Sequence, residues 1–117
     1  MEHGEIYMIH ELASISEPWY KCVRVSGIVQ SVDIHNKQCY LFHKGHRLRI
    51  DTTLVDQAIL REDSLCQIIG EIRPYSEHVC TTLPCWMYVE ASIARSVDGL
   101  DLDLFEQALL QRRKFLQ

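Results

Sequence analysis

Between Lys21 and Asp33 the apolar positions fall on alternate residues. Val23, Val25 and Val29 share one parity, and Arg24, Ser26 and Gln30 share the other. A period of two marks a strand with one buried face. Gly27 stands in its middle, where glycine commonly marks a bulge or a sharp bend. A turn-like His35-Asn36-Lys37 leads to a second strand, Cys39 to His43. Lys44-Gly45 turns the chain into a third, Arg47 to Ile50, with Leu48 and Ile50 on one face and Arg47 and Arg49 on the other. The period then changes. Leu54, Val55, Ala58 and Ile59 are spaced as on a helix, and Thr53 with Asp56 has the spacing of a capping box, so a short helix is expected. Ser64 to Arg73 reads as a fourth strand, again with a central glycine, Gly70. Pro74 to Pro84 reads as a loop, with a short paired middle around Val79. Trp86 to Ala94 is a fifth strand, with Val89, Ala91 and Ile93 on one face and Trp86, Tyr88 and Glu90 on the other. Ser96 to Asp101 is a turn before a second helix. Asp103 and Glu106 have capping-box spacing at its start, and Arg112, Arg113 and Lys114 crowd its end, which suits the helix dipole. Upstream, residues 5–13 suit an early strand or turn, and Ser14 to Pro18 a connector.

The order is strand, strand, strand, helix, strand, strand, helix. It implies a mainly β fold: the five-stranded Greek-key barrel of OB-folds, with a helix between strands three and four and a further C-terminal helix. An SH3-like barrel would lack the inner helix, and a ferredoxin-like fold would need one after its first strand. A chain of 117 residues is enough for one such domain, with the barrel at about 20–95 and the last helix at about 101–116.

Composition narrows the function. Apolar residues make up 47% and charged residues 24%, so a core can form without disulfide staples. The five cysteines, Cys22, Cys39, Cys66, Cys80 and Cys85, form an odd set without an export signal, and reduced thiols in a cytosolic or nuclear protein are expected. No apolar run is long enough for a membrane span. The net charge of −4 speaks against autonomous, sequence-blind DNA binding, which needs an excess of cations to meet phosphates. Any DNA contact is therefore expected to be local or shared with a partner.

The last helix carries a stripe at i, i+1, i+4, i+5, i+8, i+11 and i+12: Leu104, Phe105, Ala108, Leu109, Arg112, Phe115 and Leu116. Leu110 lies off the stripe and is also apolar, so the helix has more apolar surface than one barrel contact needs. The stripe either covers its own barrel or packs in part on a partner's helix. OB-folds bind single strands across strands two and three, stacking bases on aromatics and meeting phosphates with cations. Tyr40, Phe42, Arg47, Arg49, Trp86 and Tyr88 are the candidates for that task. The alternative is that they fill the barrel end or touch a partner. Cys39, His43 and His46, or His78, Cys80 and Cys85, invite a metal reading, but neither set has paired Cys-x-x-Cys spacing, and no metal or other cofactor is expected. No phosphate loop, nucleophile elbow or metal-binding helix motif suggests an enzyme.

The stretch Val97-Asp98-Gly99-Leu100-Asp101-Leu102, followed by Leu104, Gln107 and Arg113, strongly resembles the end of the Ten-one family of subunits of the telomere-end CST complex. Val25 to Asp33 resembles their first strand and Ile68 to Ile72 their fourth. Arg112, Arg113, Lys114 and Phe115 resemble the family's basic-aromatic helix end. The smallest replication protein A subunit shares the Asp-Leu-x-Leu-aromatic helix start and is the nearest alternative; an interaction-only OB subunit is another. The Ten-one resemblance implies a non-enzymatic subunit at chromosome ends in the nucleus. It implies helix-to-helix pairing with a Stn-type OB-fold subunit, a large Ctc-type subunit, and single-stranded telomeric DNA, with Arg113 joining the DNA candidates. It also implies a share in limiting telomerase and in C-strand fill-in by polymerase alpha–primase.

Overall fold

The computed structural model describes residues 4–15, 19–74 and 87–115, the side chains of Ala13 and Phe115 excepted. A short β1 (Glu5–Ile6) and a 3₁₀ turn (Ile9–Ser14) precede the barrel strands β2 (Cys22–Asp33), β3 (Gln38–His43), β4 (His46–Asp51), β5 (Leu65–Pro74) and β6 (Met87–Ser96), and α1 (Leu102–Phe115) follows. The sheet runs β1-β2-β3-β4-β6-β5, and β2 pairs β5 to close the ring. The long β2 makes closure possible. Cys22 to Ile28 pair antiparallel with β5, and Ile28 to Asp33 pair with β3 on the other edge. β4 and β6 meet in parallel at Ile50–Val89 and Asp51–Glu90. This is the closed barrel with a C-terminal helix that the alternation implies. The expected loop around Val79 lies outside the described residues.

The inward parity forms the core. Val23, Val25, Val29, Leu41, Leu48, Ile50, Ile68 and Val89 are almost wholly withdrawn from solvent. Ile9 and Leu12 of the first 3₁₀ turn join them, which explains the apolar character of residues 5–13. That turn lies beside the tip of the β3–β4 hairpin, where the His10 and His46 rings stand 5.6 Å apart.

Three expectations need correction. The helix between β4 and β5 is a single 3₁₀ turn, Gln57–Ile59, and its cap is Asp56, which accepts from Ala58 N at 2.9 Å, rather than Thr53. Gln57 Nε2 donates to the carbonyls of Thr52 (2.6 Å) and Val55 (3.3 Å), and Thr53 N donates to Asp51 Oδ1 (2.9 Å). Side chains thus satisfy backbone groups that a helix would need, and a segment this short gains little from helix propagation.

Second, Gly27 is not a bulge, because it pairs in register with Cys66. The irregularity in β2 lies between Gln30 and Asp33, where Ser31 takes φ 55°. Third, β6 is bulged at Ser92: Ile69 faces Ile93, yet Gly70 faces Ala91. The extra residue reverses the alternation. Ile93 turns outward at 38% exposure and Ala94 turns in, so Ile93 does not share the face of Val89 and Ala91. Gly70 permits this crossing: a Cβ there would overlap the Glu90 carbonyl and stand 2.9 Å from Ala91 Cα.

Candidate interaction surfaces

The outer face of the β3–β4 hairpin follows from its register. Tyr40 pairs with Arg49 and Phe42 with Arg47, while Cys39, Leu41, Leu48 and Ile50 point inward. Arg47 Cζ lies 4.3 Å from the Tyr40 ring centre, and Arg49 Cζ lies 5.3 Å from the Tyr88 ring on β6. Two cations and two rings therefore share one outer surface, with half-buried Phe42 beside them. The pattern continues where alternation did not point. Arg73 of β5 is paired in register with Tyr88 and stands 4.8 Å from the Tyr20 ring. Arg73 Nη2 is held by Glu71 (3.0 Å) and Glu90 (3.2 Å). Trp86 lies outside the described residues.

The second surface is α1. Its cap is Asp101, whose Oδ1 accepts from Asp103 N (3.0 Å) and Leu104 N (3.2 Å). The expected capping pair Asp103–Glu106 does other work. Glu106 Oε1 accepts from Lys44 Nζ at 2.6 Å, and Asp103 Oδ1 lies 3.5 Å from the same ammonium. That ammonium holds the Glu106 carboxyl below the ordinary glutamate range, and the Lys44 pKa rises in turn. Two turns further on, Arg113 donates to Glu11 Oε2 (2.5 Å) and to the Ile6 carbonyl (2.7 Å). Glu106 and Arg113 are seven residues apart, two turns along one face. They fix the helix against the hairpin tip and the first 3₁₀ turn.

That docking divides the predicted stripe. Phe105 and Leu109 are half-buried on the docked side, as is Leu102. Leu104 is 57% exposed, and Leu110 is 51% exposed. Leu104, Ala108 and Leu110 line an open groove with Gln107, Gln111 and Lys114. Arg112 is exposed. Arg113 is half-buried and engaged by Glu11. Leu116 and the Phe115 side chain lie outside the described residues. No helix among the described residues is long and apolar enough to cross a membrane.

The Val97-Asp98-Gly99-Leu100 motif is a clip. Asp98 Oδ1 accepts from Leu65 N at 2.9 Å, Ser96 Oγ donates to Oδ2 at 3.1 Å, and Val97 N donates to Leu65 O at 2.9 Å. Gly99 takes φ 96°, the left-handed region that favours glycine, and the chain turns into α1. The Leu65 amide, then Ser96, hold the Asp98 carboxyl below the ordinary aspartate range.

Cys39 and Cys66 are free thiols. Burial pushes the Cys39 thiol up to about 12, so it stays protonated inside the barrel and is a poor metal ligand. Among the described residues, Cys39, His43 and His46 do not bring their ligand atoms together. His78, Cys80 and Cys85 lie outside the described residues.

A five-stranded barrel closed by a parallel β4–β6 pair, with rings and cations on its hairpin face, defines an OB-fold interaction domain. The family described as "Telomere-capping, CST complex subunit" matches residues 1–117, and the chain belongs to it. Among solved structures, a chain of the Schizosaccharomyces pombe Stn1–ten1 complex is similar over 97% of this chain and 94% of that one, with 18% identity and a TM-score of 0.73. The telomere capping protein Ten1 from S. pombe is similar over 95% of this chain and 98% of that one, with 19% identity and a TM-score of 0.72. A putative aspartyl-tRNA synthetase from Leishmania major is similar over 84% of this chain but 21% of its own, with 12% identity and a TM-score of 0.67. At these identities the likeness is one of fold. No curated protein matches in sequence.

Proposed function

We propose that this chain acts as the small OB-fold subunit of a CST complex, one non-enzymatic domain pairing through α1 with a Stn-type OB-fold subunit. The observation that carries this is the outward side of α1, where Leu104 and Leu110 are more than half exposed on a helix whose opposite side is docked. Burying a large apolar side chain contributes about 1.5–3 kcal/mol before ordering costs, so a few such anchors sustain a heterodimer. In this reading the barrel, about residues 20–95, and the helix, about 101–116, work as one unit. A Ctc-type subunit completes the complex in the nucleus, at chromosome ends. The assembly caps single-stranded telomeric DNA, limits telomerase and supports C-strand fill-in by polymerase alpha–primase. Tyr40, Phe42, Arg47, Arg49 and Tyr88 offer the DNA a local cationic and aromatic face on a chain of net charge −4, so the contact is made jointly with the partner.

Leu104→Glu with Leu110→Glu tests the pairing. Both positions face solvent, so the barrel should keep its circular dichroism and melting temperature while co-elution with the Stn-type subunit is lost. Wild-type co-elution of the folded variant would overturn the helix pairing. Arg47→Ala with Arg49→Ala tests the DNA face. Assembly should persist, single-strand binding by the heterodimer should weaken, and the salt slope should fall by roughly 0.7 per lost phosphate contact. Unchanged affinity and slope would show that this face is not the DNA site and turn attention to the basic end of α1.

A further inference from the structure

His43 closes β3 with a side chain only 8% exposed, yet its Nε2 makes no hydrogen bond. A buried imidazole nitrogen without a partner is costly, and one in a folded protein calls for a reason. It is aimed at α1 and lies 3.8 Å from Glu106 Oε1. Nitrogen and oxygen atoms of His43, Asp103 and Glu106 all fall within 4.8 Å of one another. From the first 3₁₀ turn, His10 Nε2 reaches to 3.8 Å from Glu106 Oε2. Two imidazoles and two carboxylates, drawn from three elements distant in sequence, therefore converge at the joint between helix and barrel.

We propose that this joint binds a divalent first-row transition-metal ion, zinc being the best fit, through His43, Glu106, Asp103 and His10. The donor set is the nitrogen–oxygen mixture that zinc takes. Charge favours the exchange. Asp103 and Glu106 carry two negative charges, and the Lys44 ammonium now between them answers only one. Lys44 is 50% exposed on a flexible stem, so a dication can displace it into solvent and neutralise both carboxylates. The ion would also give the orphaned His43 nitrogen its partner. Its structural effect would be to pin α1 to the barrel and fix the aim of the outward face.

The test is titration of the full chain with Zn²⁺ by calorimetry, with Co²⁺ as the spectroscopic probe. One ion per chain should bind. Melting temperature should rise with Zn²⁺, since a ligand of the folded state stabilises it. The Co²⁺ spectrum should show the d–d bands of a four-coordinate site without thiolate charge transfer, as a site with no cysteine ligand requires. Glu106→Gln should weaken binding by more than the roughly 10–100-fold typical of losing an outer-sphere partner. Asp103→Asn, at an exposed position that does not endanger folding, should also weaken it. Lys44→Ala should tighten binding several-fold, because the ammonium competes for the same oxygens. No uptake by the wild type would overturn the proposal. So would undiminished uptake by the folded Asp103→Asn variant, a thiolate band, or a Lys44→Ala chain that binds no more tightly.

Discussion

Leu41, Leu48, Ile50, Ile68 and Val89 are fully withdrawn from solvent inside the barrel, whereas Leu104 and Leu110 on α1 are more than half exposed. The two regions are held by different forces. The barrel rests on a ring of backbone ladders around an apolar core, each large side chain contributing about 1.5–3 kcal/mol. The helix rests on half-buried Leu102, Phe105 and Leu109 and on ion pairs of Lys44 and Arg113. Partly exposed ion pairs are worth about 1 kcal/mol or less. The core is thus insensitive to what binds outside, while the pose of the helix is open to adjustment by a partner or an ion.

Substitutions at the two mid-strand glycines break the barrel side of this contrast. Gly70→Val should have the largest effect, about 3 kcal/mol or more in urea denaturation, because the new atoms collide with the Glu90 backbone across the bulge. Gly27→Val should cost less, about 1–3 kcal/mol, since its Cβ would meet Ile9 Cδ1 and the Phe42 carbonyl at 3.1 Å and the Ile9 side chain can yield. Equal losses at the two sites would show that strand curvature, rather than close backbone approach, sets the glycine requirement.

Arg113→Ala sharpens the helix side. Global stability should fall by about 1 kcal/mol or less. Hydrogen exchange of α1 amides should accelerate while that of β2 and β5 stays unchanged, since the helix can loosen without the barrel opening. The smallest effect is one of pH, at the clip between the regions. The Asp98 carboxyl titrates lower in the folded chain than in the unfolded one. Its contribution is therefore fully present above the ordinary aspartate range and is lost as pH falls through the folded value. Asp98→Asn should lower stability at neutral pH and leave it little changed in acid, so that the acid limb of the stability curve is flatter than in wild type.

The strand order was legible because one face of each strand is buried, and burial writes a period of two into the sequence. Val23, Val25 and Val29, then Leu48 and Ile50, carry that signal directly. It failed where backbone irregularity intervenes. Nothing in Ala91-Ser92-Ile93 announces the extra residue that turns Ile93 outward, though Gly70 opposite hints at a close approach. The helical spacing after Thr53 was real, but the local bonds of Gln57 and Asp51 intercepted it. On α1 the apolar stripe was visible, but its division between barrel and solvent was set by Glu106 and Arg113. Their partners Lys44 and Glu11 lie 62 and 102 residues away. Arg73 was missed for a similar reason, because cross-strand register with Tyr88 brings it to the outer face, where it meets the Tyr20 ring. Opposite charges two helical turns apart on the face that also carries Leu102, Phe105 and Leu109 were the available signal for the docked side.

The β4–β6 pair, two positions wide among the described residues, has a consequence for folding order. The β3–β4 hairpin joins neighbours in sequence and closes a small loop at little entropic cost. The β4–β6 pair joins Ile50 to Val89, a far larger loop, for very few hydrogen bonds. Its formation is rewarded only after β5 has docked on β2 and carried β6 into place. The ring therefore zips shut at this seam last, and the seam is the first part of the barrel to open when the protein breathes.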